Sequence, residues 1–166
     1  MSDIAVNPLR VVAGHRTLGV RWSAAVLTAA LLSLVAGWIH FVYVSSHWDN
    51  WWAYGMFFLV SGLFQALTAP ALLRWQNAWT ALAGIAGNLG IIGMYVMSRT
   101  HGIPMGPHEG VVEKATAIDL SCTAGEIVLV GVLLGMVGAT NRRWIINLLL
   151  VSGIALWALR LTNTLA

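Results

Sequence analysis

Five apolar stretches, at roughly 22–44, 53–73, 78–98, 119–139 and 144–163, follow one another along this chain with little between them. Each is about 20 residues long, the length a helix needs to cross ~30 Å of hydrocarbon at ~1.5 Å per residue. Lipid offers no partner to a free backbone amide, and a helix is the open-ended element that satisfies its own. The pattern predicts an all-α, polytopic transmembrane bundle of about five helices. Composition agrees: 58% of the 166 residues are hydrophobic and 9% charged, with a mean hydropathy of +0.78, whereas a soluble domain carries about 25% charged residues. This excludes a water-soluble globule, and the length suits one bundle. Residues 1–21 read as an N-terminal cytoplasmic arm and 22–166 as a single bundle. The first run lacks a small-x-small cleavage site, so it is expected to remain as a helix.

Eight arginines and one lysine give a formal net charge of +3. They fall near the ends of the apolar runs, which points to membrane topology and a lipid bilayer as partner, with no nucleic acid. With the N-terminus inside, Arg10, Arg16, Arg21, Arg74, Arg142 and Arg143 lie on the inner side, against Arg99, Lys114 and Arg160 on the outer. The positive-inside rule therefore predicts N-inside, in a multi-pass protein of the bacterial inner membrane. The inner links at 74–77 and 140–143 are short, which predicts that helices 2 and 3, and helices 4 and 5, are antiparallel neighbours. The long link, roughly 98–119, contains Gly102, Pro104, Gly106, Pro107 and Gly110. These residues forbid a continuous helix, and a long loop on a minimal bundle is where function tends to sit.

Small residues punctuate the runs, at Gly84, Gly87, Gly90 and Gly93 and again at Gly131, Gly135 and Gly138. In lipid such positions let helix backbones approach closely.

The polar side chains are distributed to one side. His40, His47, His101 and His108 fall at or beyond the outer helix ends, with Asp49, Glu109, Glu113 and Asp119, and Glu126 lies in the outer half of the fourth run. Met56, Met94, Met97 and Met105 share that side. His40, Tyr43 and His47 share a helix face, as do Asp119, Cys122 and Glu126. Tyr54, Ser61 and Gln65 form a weaker polar line, and so do Asn88 and Tyr95. A charge near mid-bilayer costs about 2.5–3.5 kcal/mol on the insertion scale, so Glu126 is expected to be protonated, paired or ligated, with Arg99 and Arg160 as the cations within reach.

Imidazole with carboxylate suits Zn, Cu or Fe, and thioether adds a preference for Cu(I). The reading is an outward-facing metal site drawn from His40, His47, Glu126, Asp49, Asp119, His101 and His108, with copper favoured over zinc. Haem is disfavoured because no histidine other than His40 lies inside a predicted span to complete a bis-His pair. Cys122 is the single cysteine, which excludes an intrachain disulfide. Simpler readings stand beside these: interfacial or solvated histidines, methionines as packing, Trp48, Trp51 and Trp52 as an aromatic belt, and a buried Glu126–Arg160 ion pair. The alternative function is a non-catalytic accessory or assembly subunit of a larger membrane complex, or a homo-oligomer. A small transporter is a weaker option, since no inverted symmetry is evident. No reaction is identified.

The strings His40…His47-x-Asp49-x-Trp51-x-x-Tyr54-Gly55-x-Phe57-Phe58…Gln65, Gly84-x-x-Gly87-Asn88, Ser98-Arg99-Thr100-x-Gly102-x-Pro104-x-Gly106-Pro107 and Asp119…Glu126 resemble a family of small, uncharacterised polytopic bacterial integral membrane proteins. The resemblance covers roughly residues 25–140. It implies a membrane bundle and supplies no activity. Asp49 stands where that family often has Glu, and His101 where it has a small or apolar residue.

Overall fold

The computed structural model describes residues 23–165, so the arm bearing His15, Arg10, Arg16 and Arg21 lies outside the described residues. The described residues form five helices: α1 (Ala24–Asn50), α2 (Trp52–Arg74), α3 (Ala78–Thr100), α4 (Ala117–Met136) and α5 (Ala139–Leu165). There is no strand among the described residues. Among the described residues four helices, α1 to α4, are long and apolar enough to cross a membrane.

Three helices begin on capping side chains. Ser23 accepts from the Val26 amide at 3.3 Å and Asn77 from the Thr80 amide at 3.0 Å. Thr116 and Asp119 form a capping box at the start of α4. Each satisfies amides that the first helical turn leaves open. Between α1 and α2 there is no loop, only Trp51 in extended conformation. Its N–H donates to the His47 carbonyl, and its own carbonyl accepts from Tyr54 and Gly55. The first helix therefore continues to Asn50, six residues beyond the apolar run that announced it. A Cβ on Gly55 would come within 2.6–2.8 Å of Trp48, so glycine makes this abrupt reversal possible.

The four helices close a ring in which α1 packs on α2, α2 on α3, α3 on α4 and α4 on α1. The α1–α2 seam is the most extensive. There a Cβ on Gly37 would meet the Gly62 carbonyl at 3.1 Å and the Ala66 amide at 3.2 Å. Across the same seam Ser33 donates to the Gln65 carbonyl at 2.7 Å. Because the obstacle is backbone, Gly37→Leu is expected to destabilise the protein by about 1–3 kcal/mol, as overpacking does. Thermal unfolding in detergent checks this.

One half of the ring is filled by Ala29, Leu72, Ala81, Ile85, Leu129, Leu133 and Val137. The other half, nearer the 101–116 loop, is not filled.

Two expectations change. Of the glycines read as packing positions, Gly84 lies under Leu133 and Gly87 under the Phe64 ring, while Gly90, Gly93, Gly131, Gly135 and Gly138 have nothing within 4 Å. The latter lie on faces that no described helix covers. Over its described side chains α5 does not pack along α4 as an antiparallel neighbour. Its described side chains from 139 to 155 are exposed apart from Ile145, which touches the core edge. In lipid, apolar side chains gain little from a neighbouring helix over hydrocarbon, and the described side chains of α5 bring no polar group into the bundle that would hold it there.

Candidate functional site

Between the loop-side halves of α1 to α4 lies a cavity of about 170 Å3. Its wall is mainly apolar and aromatic, and its base carries His40 from α1 with Cys122 and Glu126 from α4. His40 is ten residues from the end of α1 and Glu126 nine from the start of α4. At ~1.5 Å per residue that is about 15 Å below the helix ends. The polar centre is therefore deep in the bundle and not at its rim, as the apolar runs had suggested. Helix α1 runs on to Asn50, so His40 falls well inside the helix.

All three base residues are buried, at 6% exposure for His40, 9% for Cys122 and 1% for Glu126. One ligand atom from each lies within 4.8 Å of the other two, a group that can hold a metal ion. The His40 Nδ1 donates to the Ala36 carbonyl at 2.9 Å. A carbonyl only accepts, so Nδ1 carries a proton and, in the neutral ring, Nε2 presents its lone pair. That Nε2 faces Glu126 Oε1 at 4.0 Å. With the carboxyl ionised as well, two acceptors confront each other across the cavity floor.

Beneath them a network holds the carboxylate. The Gln65 Nε2 donates to Glu126 Oε1 at 2.7 Å and to Asn88 Oδ1 at 3.0 Å, and the Asn88 Nδ2 donates to the Gly84 carbonyl at 2.8 Å. Gln65 and Asn88 are both fully buried. With both amide protons committed on one side, Gln65 Oε1 is buried with no hydrogen-bond partner among the described residues. Buried polar groups are rarely left so, and an unpaired acceptor beside a carboxylate calls for a cation or a proton donor.

The remaining candidates divide. His47 lines the same cavity, with Nδ1 donating to the Tyr43 carbonyl at 2.9 Å. Its ring stacks on Phe58 at 3.7 Å, and it stands outside the His40–Cys122–Glu126 group. Asp119 lines the cavity, but its Oδ2 accepts from the Thr116 amide at 3.0 Å and from Arg99 at 2.9 Å. Its Oδ2 therefore closes the α4 cap and an ion pair, and Asp119 stands outside the His40–Cys122–Glu126 group. Arg99 also pairs with Glu113, so it is not the partner of Glu126. The Arg160 side chain lies outside the described residues. Asp49, His101 and His108 are exposed and do not line the cavity; His101 shares a 2.8 Å hydrogen bond with Thr100 Oγ1. Met94 and Met105 are on the cavity wall, while Met56 and Met97 are not. Trp48 and Trp52 are exposed, as an aromatic belt requires. Trp51 turns inward against Tyr54, edge to face at 5.0 Å. Cys122 was not among the candidate ligands; its place one turn from Glu126 on the same helix face was the signal that could have found it.

The loop is folded over the cavity. Tyr54 donates to the Met105 carbonyl at 2.9 Å, and the Glu113 amide donates to the Ser98 carbonyl at 3.0 Å. Gly102, Gly106 and Gly110 take positive φ. A Cβ on Gly106 would come within 2.7 Å of both Trp51 and Tyr54, so the loop can lie directly on those rings. Arg99 joins this loop to α4 through Glu113 and Asp119. Partly exposed ion pairs are worth about 0.2–1 kcal/mol each. Arg99→Ala is therefore expected to speed tryptic cleavage after Lys114 by several-fold to about tenfold, through a larger open population. Peptide mapping over time measures it.

Comparison of the chain with protein-family models, with curated proteins and with solved structures returns no match.

Proposed function

We propose that this is an integral membrane metal-binding protein in which His40, Cys122 and Glu126 hold a transition metal at the base of the cavity. The observation that carries the reading is the convergence of these three buried donors within 4.8 Å. Bond lengths of 2.0–2.3 Å place tetrahedral donors about 3.3–3.8 Å apart, close to the 4.0 Å between His40 and Glu126. A ligating histidine characteristically donates its other N–H to a carbonyl or carboxylate, as His40 does to Ala36. Imidazole, thiolate and carboxylate suit copper or zinc, and the thiolate, with Met94 and Met105 on the wall, favours Cu(I). Three protein donors leave a position open, which fits metal handling or redox work better than a closed structural site.

In this reading the N-terminus is inside, residues 144–163 supply a fifth crossing, and the cavity opens outward in a bacterial inner membrane. Elemental analysis of protein purified without chelator tests the proposal. About one equivalent of copper is expected, and less than about a tenth of an equivalent of any transition metal, before and after metal addition, rejects it.

A second reading, an accessory subunit of a membrane complex, draws on α5, where Trp144, Leu148, Val151 and Ile154 are exposed. Co-purification of stoichiometric partners in mild detergent supports it, and a monodisperse single chain opposes it.

A further inference from the structure

Above the His40–Glu126 pair the cavity changes character. Ile39, Phe57, Phe58, Ile91 and Met94 supply apolar walls from three helices. An apolar cavity of about 150 Å3 takes up one benzene ring, and drug-sized ligands need about 300 Å3 or more. A cavity of about 170 Å3 therefore matches one six-membered ring. The floor adds a second feature. His40 Nε2 and Glu126 Oε1 stand 4.0 Å apart; with the imidazole neutral and the carboxyl ionised both accept, so a ligand that donates a hydrogen bond suits them.

We propose that this cavity binds a single-ring aromatic molecule bearing a hydroxyl group, a phenol or a hydroquinone head group. Its ring lies among the apolar walls and its hydroxyl donates to the Glu126 carboxylate. The inference shares His40 and Glu126 with the metal reading but does not depend on it. With a metal bound, the same hydroxyl meets the open ligand position.

The test uses the full chain in nanodiscs, once stripped with a chelator and once reloaded with Cu(I). Phenol, hydroquinone and toluene are titrated against protein-containing and empty nanodiscs, with bound ligand read by equilibrium dialysis and by tryptophan fluorescence. Saturable binding of phenol near one equivalent is expected, about tenfold tighter than toluene, the worth of one charge-assisted hydrogen bond. Met94→Trp, which fills the cavity without touching its polar floor, abolishes this binding; Ile91→Trp serves the same purpose if that variant does not fold. Phenol uptake that does not exceed partitioning into empty nanodiscs, parity of phenol with toluene, or undiminished binding in the filled variant overturns the proposal. Phenol binding to protein that takes up no metal leaves this inference standing while the metal reading falls. Metal uptake without phenol binding does the reverse.

Discussion

Cys122→Ser is expected to lower bound copper from about one equivalent to below about a tenth under the same purification, with the helix content unchanged. The substitution removes the one soft donor of the group and alters little volume. Cys122 is the chain's single cysteine, so it also reports on itself. In the parent protein, metal should shield the thiol from a membrane-permeant alkylating agent, and chelation should restore labelling, as mass spectrometry would show. His40→Ala should lose metal to a similar degree, because it removes the imidazole donor. His101→Ala and His108→Ala should leave metal content unchanged, since both residues are exposed and neither lines the cavity. Loss of metal on replacing either loop histidine, with His40→Ala silent, would move the site to the loop and refute the assignment.

Gln65→Met is the second large effect. Methionine matches glutamine closely in length and volume, so the helix seams should survive, but both donated hydrogen bonds disappear. Glu126 then loses the 2.7 Å contact that orients its carboxylate, and Asn88 loses its 3.0 Å partner. Residues that orient a ligand in this way typically control metal affinity by about 10–100-fold. That is the expected rise in Kd, measured by competition with a chelator of known affinity. The stability cost should be smaller, about 0.6–1.7 kcal/mol, the range for interhelical hydrogen bonds in lipid. Asn88→Leu should weaken metal binding less, because Asn88 reaches Glu126 only through Gln65. An Asn88 effect equal to that of Gln65 would show that the network acts through bundle stability rather than through the carboxylate.

Much of the site was present in the pattern of residues but misplaced in depth. The acid at 126 stood out because lipid tolerates a carboxyl only with a partner, and His40, Tyr43 and His47 were legible as one helix face; all four line the cavity. The error about depth came from taking the end of an apolar run as the end of a helix. Residues 45–50 are polar apart from Trp48, yet they continue α1, since a helix outside hydrocarbon needs no apolar side chains. The loop acids and histidines looked alike in the sequence. Folding separates them: Glu113 and Asp119 are taken up by Arg99, while His101 and His108 are left in the open. No spacing rule distinguishes a carboxylate that closes a helix cap from one that waits for a ligand.

The chain's own hydropathy determined that it is helical and built for lipid, because apolar runs of that length have one way to satisfy their backbones, and this is a local property. Only the tertiary structure decided which polar side chains meet. Gln65, Asn88 and Glu126 are joined across three helices by hydrogen bonds under 3.1 Å. Such distances depend on helix rotation and seam packing, which glycine contacts such as Gly37 against Gly62 set.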